Sequence, residues 1–272
     1  MNDIVFSPES IISLFLMAVL GIAVPVTAAL VWRFRFHKGT LKATFIGAGM
    51  FFLFAMMLEQ LLHVLVIPLV MNNVVLYVIY GSAAAGVFEE TARFLSFRFF
   101  LKKNRSAENA VSYGLGHGGC EMILLLGLQA VIALAMIATV SPAVLGQFKD
   151  SMSSEADYIA YSRVISQLTA YSQVTYGNLA ISVLERIAAM TLQVSLSVLV
   201  MEAVMVKGRI WLYPAAIVIH ALMDVPAALY QCGVIPVIVC ELIMAAFTAV
   251  WAVIAYKRYK VTSKNLLHGR FL

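Results

Sequence analysis

The sequence predicts an all-α protein, a polytopic membrane helical bundle of about seven transmembrane helices, or eight if one stretch is broken. Three observations predict this fold class. Hydrophobic residues make up 62% of the 272-residue chain and charged residues 12%, about half of the roughly 25% that a soluble domain carries. The mean hydropathy is +0.92, and several apolar stretches reach the length of about 20 residues that crosses a bilayer. Basic residues concentrate in alternate connections, as in membrane proteins of fixed orientation. The composition argues against a soluble enzyme, a disordered chain and a disulfide-stapled secreted domain.

The apolar stretches give the predicted spans in order. The first lacks the basic segment that begins a signal peptide, so we interpret it as a span. The fourth is the longest, and a break at Ser141-Pro142 would divide it and give eight segments. The seven predicted spans cover residues 11–32, 43–71, 74–100, 110–145, 178–206, 211–231 and 234–256.

The basic residues predict the orientation, because cytoplasmic connections carry an excess of Lys and Arg. Fifteen of the 19 basic residues lie at the end of the first, third, fifth and seventh spans or after it. We therefore expect an outside N-terminus, a cytoplasmic C-terminus and one integral-membrane domain over residues 1–272 in the cell membrane. Residues 146–177 would form an extracytoplasmic polar loop. The net charge of +5 is explained by this orientation, so membrane lipid is an expected partner and nucleic acid is not. The fifteen residues are Arg33, Arg35, Lys38, Lys42, Arg98, Lys102, Lys103, Arg105, Lys207, Arg209, Lys257, Arg258, Lys260, Lys264 and Arg270.

Ionisable residues inside the predicted spans are the second feature of the sequence. Each costs about 2.5–3.5 kcal/mol at the bilayer centre on insertion scales, so such residues usually face the bundle interior and pair. Here they stand three or four residues apart, a spacing that puts both members on one helix face. The pairs are Glu59 with His63, Glu89 and Glu90 with Arg93, His117 with Glu121, and His220 with Asp224. The adjacent residues Glu185 and Arg186 are interpreted as structural.

Three of these groups lie at one predicted depth. Glu90, His117 and His220 are each 11 or 12 residues from a basic residue of their cytoplasmic connection, which is about 16–18 Å of helix. We therefore expect one convergent polar set near the middle of the bilayer. The set comprises Glu89, Glu90, Arg93, His117, Glu121, His220 and Asp224. Glu59 and His63 lie nearer the outer side, either as structural support or as the outer rim of the site.

Together these residue types are the parts of a hydrolytic site. A buried carboxylate can take a proton from water, and a histidine can orient that water. A second histidine with its Asp partner can donate to a developing oxyanion. Arg93 can keep one of two adjacent carboxylates ionised, so that Glu89 and Glu90 play different roles. Taken singly, each pair is also compatible with a structural ion pair.

Three segments in chain order strengthen this interpretation. They are Glu89-Glu90-Thr-Ala-Arg93, Tyr113-Gly-Leu-Gly-His117 and His220-Ala-Leu-Met-Asp224. The ordered set resembles the three motifs of the glutamic-type intramembrane proteases, which include the CAAX prenyl endoproteases and bacteriocin-processing enzymes. Residues 116–121, Gly-His-Gly-Gly-Cys-Glu, are similar to a stretch of the YhfC family of intramembrane peptidases. The resemblance covers most of the chain and implies cleavage of a membrane-embedded or membrane-associated peptide or protein.

The resemblance also implies a role for each residue. Glu89 would activate water together with His117, and His220 with Asp224 would form the oxyanion site. The supporting residues would be Tyr113, Glu121, Glu59 and His63. Arg93 stands one residue earlier than in the CAAX enzymes, so the base is either Glu89 or its neighbour, and the third motif ends in Asp where those enzymes have Asn.

Two alternatives differ in chemistry. Enzymes of this kind have also been called metalloproteases, and His117, His220 and Glu90 would provide a His₂Glu zinc site. Because the sequence contains no His-Glu-x-x-His helix, we expect the metal-free mechanism without a cofactor. A proton-coupled transporter would use a similar relay of Glu and His, although no inverted repeat is evident. An inert scaffold whose polar core specifies the bundle is the third hypothesis.

Overall fold

The computed structural model describes residues 4–267, with side chains described as far as residue 263. Within this range every regular element is helical. Arg270 and the side chain of Lys264, which contributed to the predicted orientation, lie outside the described part. The α-helices are α1 (Pro8–Leu30), α2 (Leu41–Phe51), α3 (Gln60–Val70), α4 (Val74–Leu95), α5 (Ala107–Met122), α6 (Gln129–Thr139), α7 (Pro142–Ser151), α8 (Glu155–Ser172), α9 (Tyr176–Met205), α10 (Leu212–Gln231) and α11 (Val237–Leu267).

Short π-helical segments extend or join several of these helices. Val31–Arg35 continues α1, and Ser96–Phe100 continues α4. Phe52–Glu59 connects α2 to α3, and Ile123–Leu128 connects α5 to α6. The shorter helices therefore join into longer ones. π-Turns inside α-helices frequently occur at functional sites. One of these segments, Phe52–Glu59, ends at a residue of the predicted rim, Glu59.

Six helices of the described chain are long and apolar enough to cross a membrane, judged by length and composition. They cover Pro8–Arg35, Leu41–Val70, Ala107–Thr139, Tyr176–Met205, Leu212–Gln231 and Val237–Ser263. Helix α4 is not among them, because Glu89, Glu90 and Arg93 lower its hydropathy. The prediction of a polytopic helical bundle is confirmed, and the protein is a multi-pass membrane protein. The count of seven spans and the orientation of the termini stay predictions.

The chain bends at the predicted break, Ser141-Pro142. Helix α6 ends at Thr139, and α7 begins at Pro142, where proline loses no hydrogen bond because the first N–H groups of a helix lack partners anyway. The Ser141 side chain caps α7 by accepting from Val144 N at 3.3 Å. The fourth predicted span is therefore too long at its C-terminal end.

The polar segment 146–177, expected to be a loop, is mostly helical. It contains the end of α7 and all of α8. A capping box begins α8: the Ser154 side chain accepts from Asp157 N, and the Asp157 side chain accepts from Ser154 N. Hydrogen bonds from the backbone N–H groups and hydroxyls of Ser153 and Ser154 lower the pKa of Asp157. The extracytoplasmic position of the segment stays a prediction.

The described chain forms two compact units. The first comprises the described part of Met1–Val24 together with Ile123–Leu184. In it, Gly21 lies against Gly127 so closely that a Cβ on Gly21 would be 2.5 Å from the Gly127 nitrogen. Glu9 Oε1 accepts a hydrogen bond from Tyr176 N at 2.9 Å. The first unit is therefore held by a close helix contact and a polar contact between distant parts of the chain.

The second unit, Pro25–Met122 with Glu185–Leu272 as far as described, contains all predicted site residues. Its helices approach one another at glycines, as small residues allow in membrane bundles. A Cβ on Gly114 of α5 would lie 2.5 Å from the Val194 Cα of α9, and one on Gly116 would lie 1.9 Å from the Thr44 oxygen of α2. A Cβ on Gly86 of α4 would lie 2.6 Å from a backbone oxygen of α10. The Gly-rich sequence of α5 thus sets the helix spacing around the predicted site.

Apolar side chains form a core between these helices. Its fully buried members include Phe97, Leu101, Leu196 and Leu199.

A buried carboxylate, Glu202, joins α9 to α11 through Arg258 at 3.0 and 3.1 Å and is also paired with Arg209. On the outer side, α3 exposes Leu61, Val64, Leu65 and Leu69, as expected for a surface that faces lipid.

We expect Gly114→Val to lower the free energy of unfolding by about 2 kcal/mol or more, since overpacking a close contact costs roughly 1–3 kcal/mol. The matched control is Gly49→Val in α2, where an added Cβ meets nothing within 4 Å. Thermal unfolding of both variants in the same detergent measures the difference. Equal transition temperatures would contradict the close approach of α5 and α9.

Candidate active site

A hydrogen bond between α4 and α5 lies at the centre of the candidate site. His117 Nε2 is 2.8 Å from Glu89 Oε2, and the imidazole is fully buried. Its ring packs edge-on against Phe51 at 5.1 Å and tilted against Tyr113 at 5.8 Å between centroids. The Tyr113 hydroxyl accepts from Ser96 Oγ at 3.4 Å. Aromatic packing therefore orients the histidine that contacts Glu89.

The neighbouring carboxylate, Glu90, has different partners. Arg93 donates to Glu90 Oε1, and His220 Nδ1 of α10 lies 2.8 Å from the same oxygen. Glu90 and Arg93 are both 0% exposed. A helix permits both the i, i+3 and the i, i+4 pairing, and Arg93 is paired with Glu90 at i, i+3. The two adjacent glutamates are therefore in different environments.

The second nitrogen of His220 faces the other carboxylates. His220 Nε2 lies 3.7 Å from Glu89 Oε2 and 3.6 Å from Asp224 Oδ2. The Asp224 side chain is 33% exposed, whereas that of Glu89 is 10% exposed. Both ring nitrogens thus face carboxylates. A protonated His220 ring has an N–H on each nitrogen and could donate one toward the carboxylates on each side. Among the groups around Glu89, Asp224 is the one most open to the surroundings.

Gln193 of α9 contributes to the site, and the sequence analysis missed it. Its Nε2 donates to Glu89 Oε2 at 2.8 Å and to Glu121 Oε2 at 3.0 Å. Its Oε1 accepts from Arg93. The only signal in the sequence is an amide within an apolar span, which a search for charged residues does not detect.

Arg186 extends these contacts beyond Glu121. It donates to Glu121 Oε1 at 2.9 Å and also to Glu185. The sequence predicts a structural role for Glu185 and Arg186, and Arg186 contacts both Glu185 and the Glu121 of the candidate site.

All members of the convergent set meet in the structure. We call them, together with the glutamine, the polar network: Glu89, Glu90, Arg93, His117, Glu121, Gln193, His220 and Asp224. Four helices supply them, so the network exists only when α4, α5, α9 and α10 are packed together. Their catalytic roles stay predictions.

Glu59 and His63 form a separate pair. His63 Nε2 lies 3.3 Å from Glu59 Oε1, and His63 Nδ1 lies 2.8 Å from the Tyr80 hydroxyl. Within residues 4–267, no hydrogen bond or ion pair joins this pair to the polar network. These contacts fit structural support, and the role at an outer rim stays a prediction.

The donor set of the network fits zinc in part. Two imidazoles and two carboxylates are common zinc ligands, and ligands of one tetrahedral zinc stand about 3.4 Å apart, close to the separations around His220 Nε2. Glu90 on His220 Nδ1 corresponds to the carboxylate that orients a zinc-bound histidine. His117 and His220 with one nearby carboxylate are therefore the candidate ligands, and the zinc site of His117, His220 and Glu90 stays a prediction.

Two observations limit this fit. His117 Nδ1 has no hydrogen-bond partner in the described structure, whereas a metal-bound histidine usually has one. No three His, Cys, Asp or Glu side chains of the described residues stand in ligand geometry as they are. Binding a metal would therefore require these side chains to move.

Comparison with known proteins gives two matches. A model of the family described as YhfC intramembrane metalloprotease matches residues 20–245. A protein of Bacillus subtilis (strain 168), named "Uncharacterized membrane protein YhfC", is 31% identical over 264 residues, which cover 93% of this chain and 99% of that protein. No solved structure matches. The family description lends no support to the expected metal-free mechanism.

We expect Arg93→Leu to destabilise the protein by about 3–5 kcal/mol, because it leaves the Glu90 carboxylate buried without its partner. Replacing both residues, Arg93→Leu with Glu90→Leu, should recover most of this loss, since an apolar pair of similar volume carries no unpaired charge. Arg98→Leu, on the exposed face of the same helix, is the matched control. Equal unfolding midpoints for Arg93→Leu and Arg98→Leu would refute the pairing.

Proposed function

Because the chain belongs to the YhfC intramembrane metalloprotease family, we propose that it hydrolyses a peptide bond of a membrane-embedded peptide or membrane protein, with Glu89 as general base. The observation that carries this proposal is the 2.8 Å contact between Glu89 Oε2 and His117 Nε2, beside His220. It supplies a carboxylate and an oriented imidazole at one point inside a membrane bundle. A transporter receives no support from either match.

Glu89 is the better base of the two glutamates. Glu90 Oε1 already accepts from Arg93 and contacts His220, and the residue is completely buried. Glu89 and the partly exposed Asp224 lie at the same nitrogen of His220, Nε2. A water molecule at Glu89 would therefore meet both a base and the His117 ring.

The reaction follows from general acid–base chemistry. Glu89 takes a proton from water while the water oxygen attacks the carbonyl carbon of the substrate. His220 Nε2–H donates to the oxyanion that forms, and Asp224 stabilises the charge on the imidazole. The carbon–nitrogen bond then breaks, and Glu89 returns the proton to the leaving amine. Glu90 fixes the His220 ring through Nδ1.

The family description also extends the proposal to a metal. His117 and His220 would hold a zinc ion together with one nearby carboxylate, three protein ligands that leave the fourth position for water, and Glu90 would orient His220 through Nδ1. When bound, zinc would supply Lewis-acid polarisation of water and of the substrate carbonyl.

Glu89→Gln and His117→Ala should each reduce cleavage by about 10²–10⁴-fold, the usual contribution of general acid–base catalysis. The assay is mass spectrometry of a panel of membrane peptides incubated with the purified protein in liposomes. Glu241→Gln, a carboxylate of α11 outside the polar network, is the control and should keep wild-type cleavage. Wild-type turnover in both Glu89→Gln and Glu90→Gln, alone and combined, would exclude the proposed base.

A metal-dependent version of the site would give purified protein with about one metal ion per chain, as the family description implies, and zinc is the metal that imidazole and carboxylate ligands favour. Elemental analysis of protein purified without added metal gives the stoichiometry. His220→Ala should lose the zinc, while His37→Ala, on an exposed connection, should keep it. Active protein free of metal would overturn the zinc site and leave water activation to Glu89 and His117.

A further inference from the structure

The Gln193 side chain makes hydrogen bonds with three ionisable side chains, which helix packing alone does not require. It is 4% exposed and lies between the Arg93 guanidinium on one side and the Glu89 and Glu121 carboxylates on the other. Its contacts use the amide oxygen and the amide nitrogen. It is therefore the neutral centre around which these three side chains are arranged.

The chemistry of its neighbours fixes the orientation of this amide. A guanidinium has only donors, and an ionised carboxylate has only acceptors. Arg93 must therefore face the Gln193 oxygen, which leaves the NH₂ group to face Glu89 and Glu121. Turning the amide over would place donor against donor and acceptor against acceptor. Both amide protons then have a carboxylate partner, at 2.8 and 3.0 Å.

The glycines of α5 bring the glutamine into reach. A Cβ added to Gly118 would lie 3.0 Å from the Gln193 Cβ, and one added to Gly114 would lie 3.0 Å from the Gln193 backbone oxygen. These two glycines lie on either side of His117, one residue after it and three before it. The close contact between α5 and α9 therefore positions both the His117 ring and the Gln193 amide.

Glu89 Oε2 receives both the glutamine N–H and the His117 contact at 2.8 Å. A carboxylate oxygen with two fixed partners has little freedom to rotate. Glu121 lies within reach of the same amide group, so loss of the amide would leave two carboxylates close together without a shared donor.

We propose that Gln193 is a positioning residue of the peptidase reaction: it holds the Glu89 carboxylate toward His117 and separates it from Glu121. This inference rests on the proposed function of Glu89 as base. Gln193 itself does not touch the reacting atoms. It acts by fixing the direction of the base and by sharing its two N–H groups between neighbouring carboxylates.

Gln193→Leu keeps the approximate side-chain volume and removes both donors. We expect kcat for peptide cleavage to fall about 10- to 100-fold, as displacement of a catalytic group by about 1 Å does, with KM nearly unchanged. Gln129→Leu, an exposed glutamine of α6, is the matched control and should keep both constants. Thermal unfolding of each variant separates loss of fold from loss of positioning.

A second substitution distinguishes positioning from packing. In Gln193→Leu with Glu121→Gln, the charge beside Glu89 is gone and a new amide faces it, so kcat should recover several-fold over Gln193→Leu alone. If Gln193 were needed only for packing, kcat would show no such recovery, and the fall in kcat would parallel the fall in the unfolding temperature. Absence of recovery, or wild-type kcat in Gln193→Leu, would overturn the inference. Absence of cleavage by the wild-type protein would instead overturn the proposed function.

Discussion

The burial of Arg93 is the constraint on which the second unit depends. A guanidinium without contact with water is tolerated only when its charge is matched and its donors are used. Glu90 matches the charge from the same helix, and Gln193 accepts from a different one. The arginine therefore ties α4 to α9, and through Glu90 to His220 of α10. Helix positions that would separate these partners leave a charge uncompensated in the bilayer.

Backbone proximity makes this electrostatic arrangement possible. Glu89 and His117 meet because α4 and α5 are both packed against common neighbours, α4 against α10 at Gly86 and α5 against α9 and α2. Gly114 and Gly116 provide that closeness on two sides of α5, against α9 and α2. The glycines of α5 thus have no chemistry of their own, yet the distances between the reactive groups depend on them.

Much of the fold and part of the site could be predicted from sequence. The ionisable residues inside the predicted spans and their common depth predicted that Glu89, His117 and His220 lie together. Such groups face one another in a bundle because an unpaired charge is costly at low dielectric. The choice between Glu89 and Glu90 as the partner of Arg93 could not be predicted, since the spacing along the helix permits both. Gln193 has no charge, so nothing in a count of ionisable residues points to it. The helicity of 146–177 was missed, although Ser154 and Asp157 mark the start of α8 locally.

The modest hydropathy of α4 has a consequence for biogenesis. This helix carries the buried charges, yet the partners of Arg93 and Glu90 on other helices lie 100 and 130 residues later in the chain. During synthesis α4 leaves the ribosome long before Gln193 and His220 exist. Until then Glu90 and Arg93 are paired with each other within α4. The contacts of Arg93 and Glu90 with other helices are therefore complete only when α9 and α10 are both present.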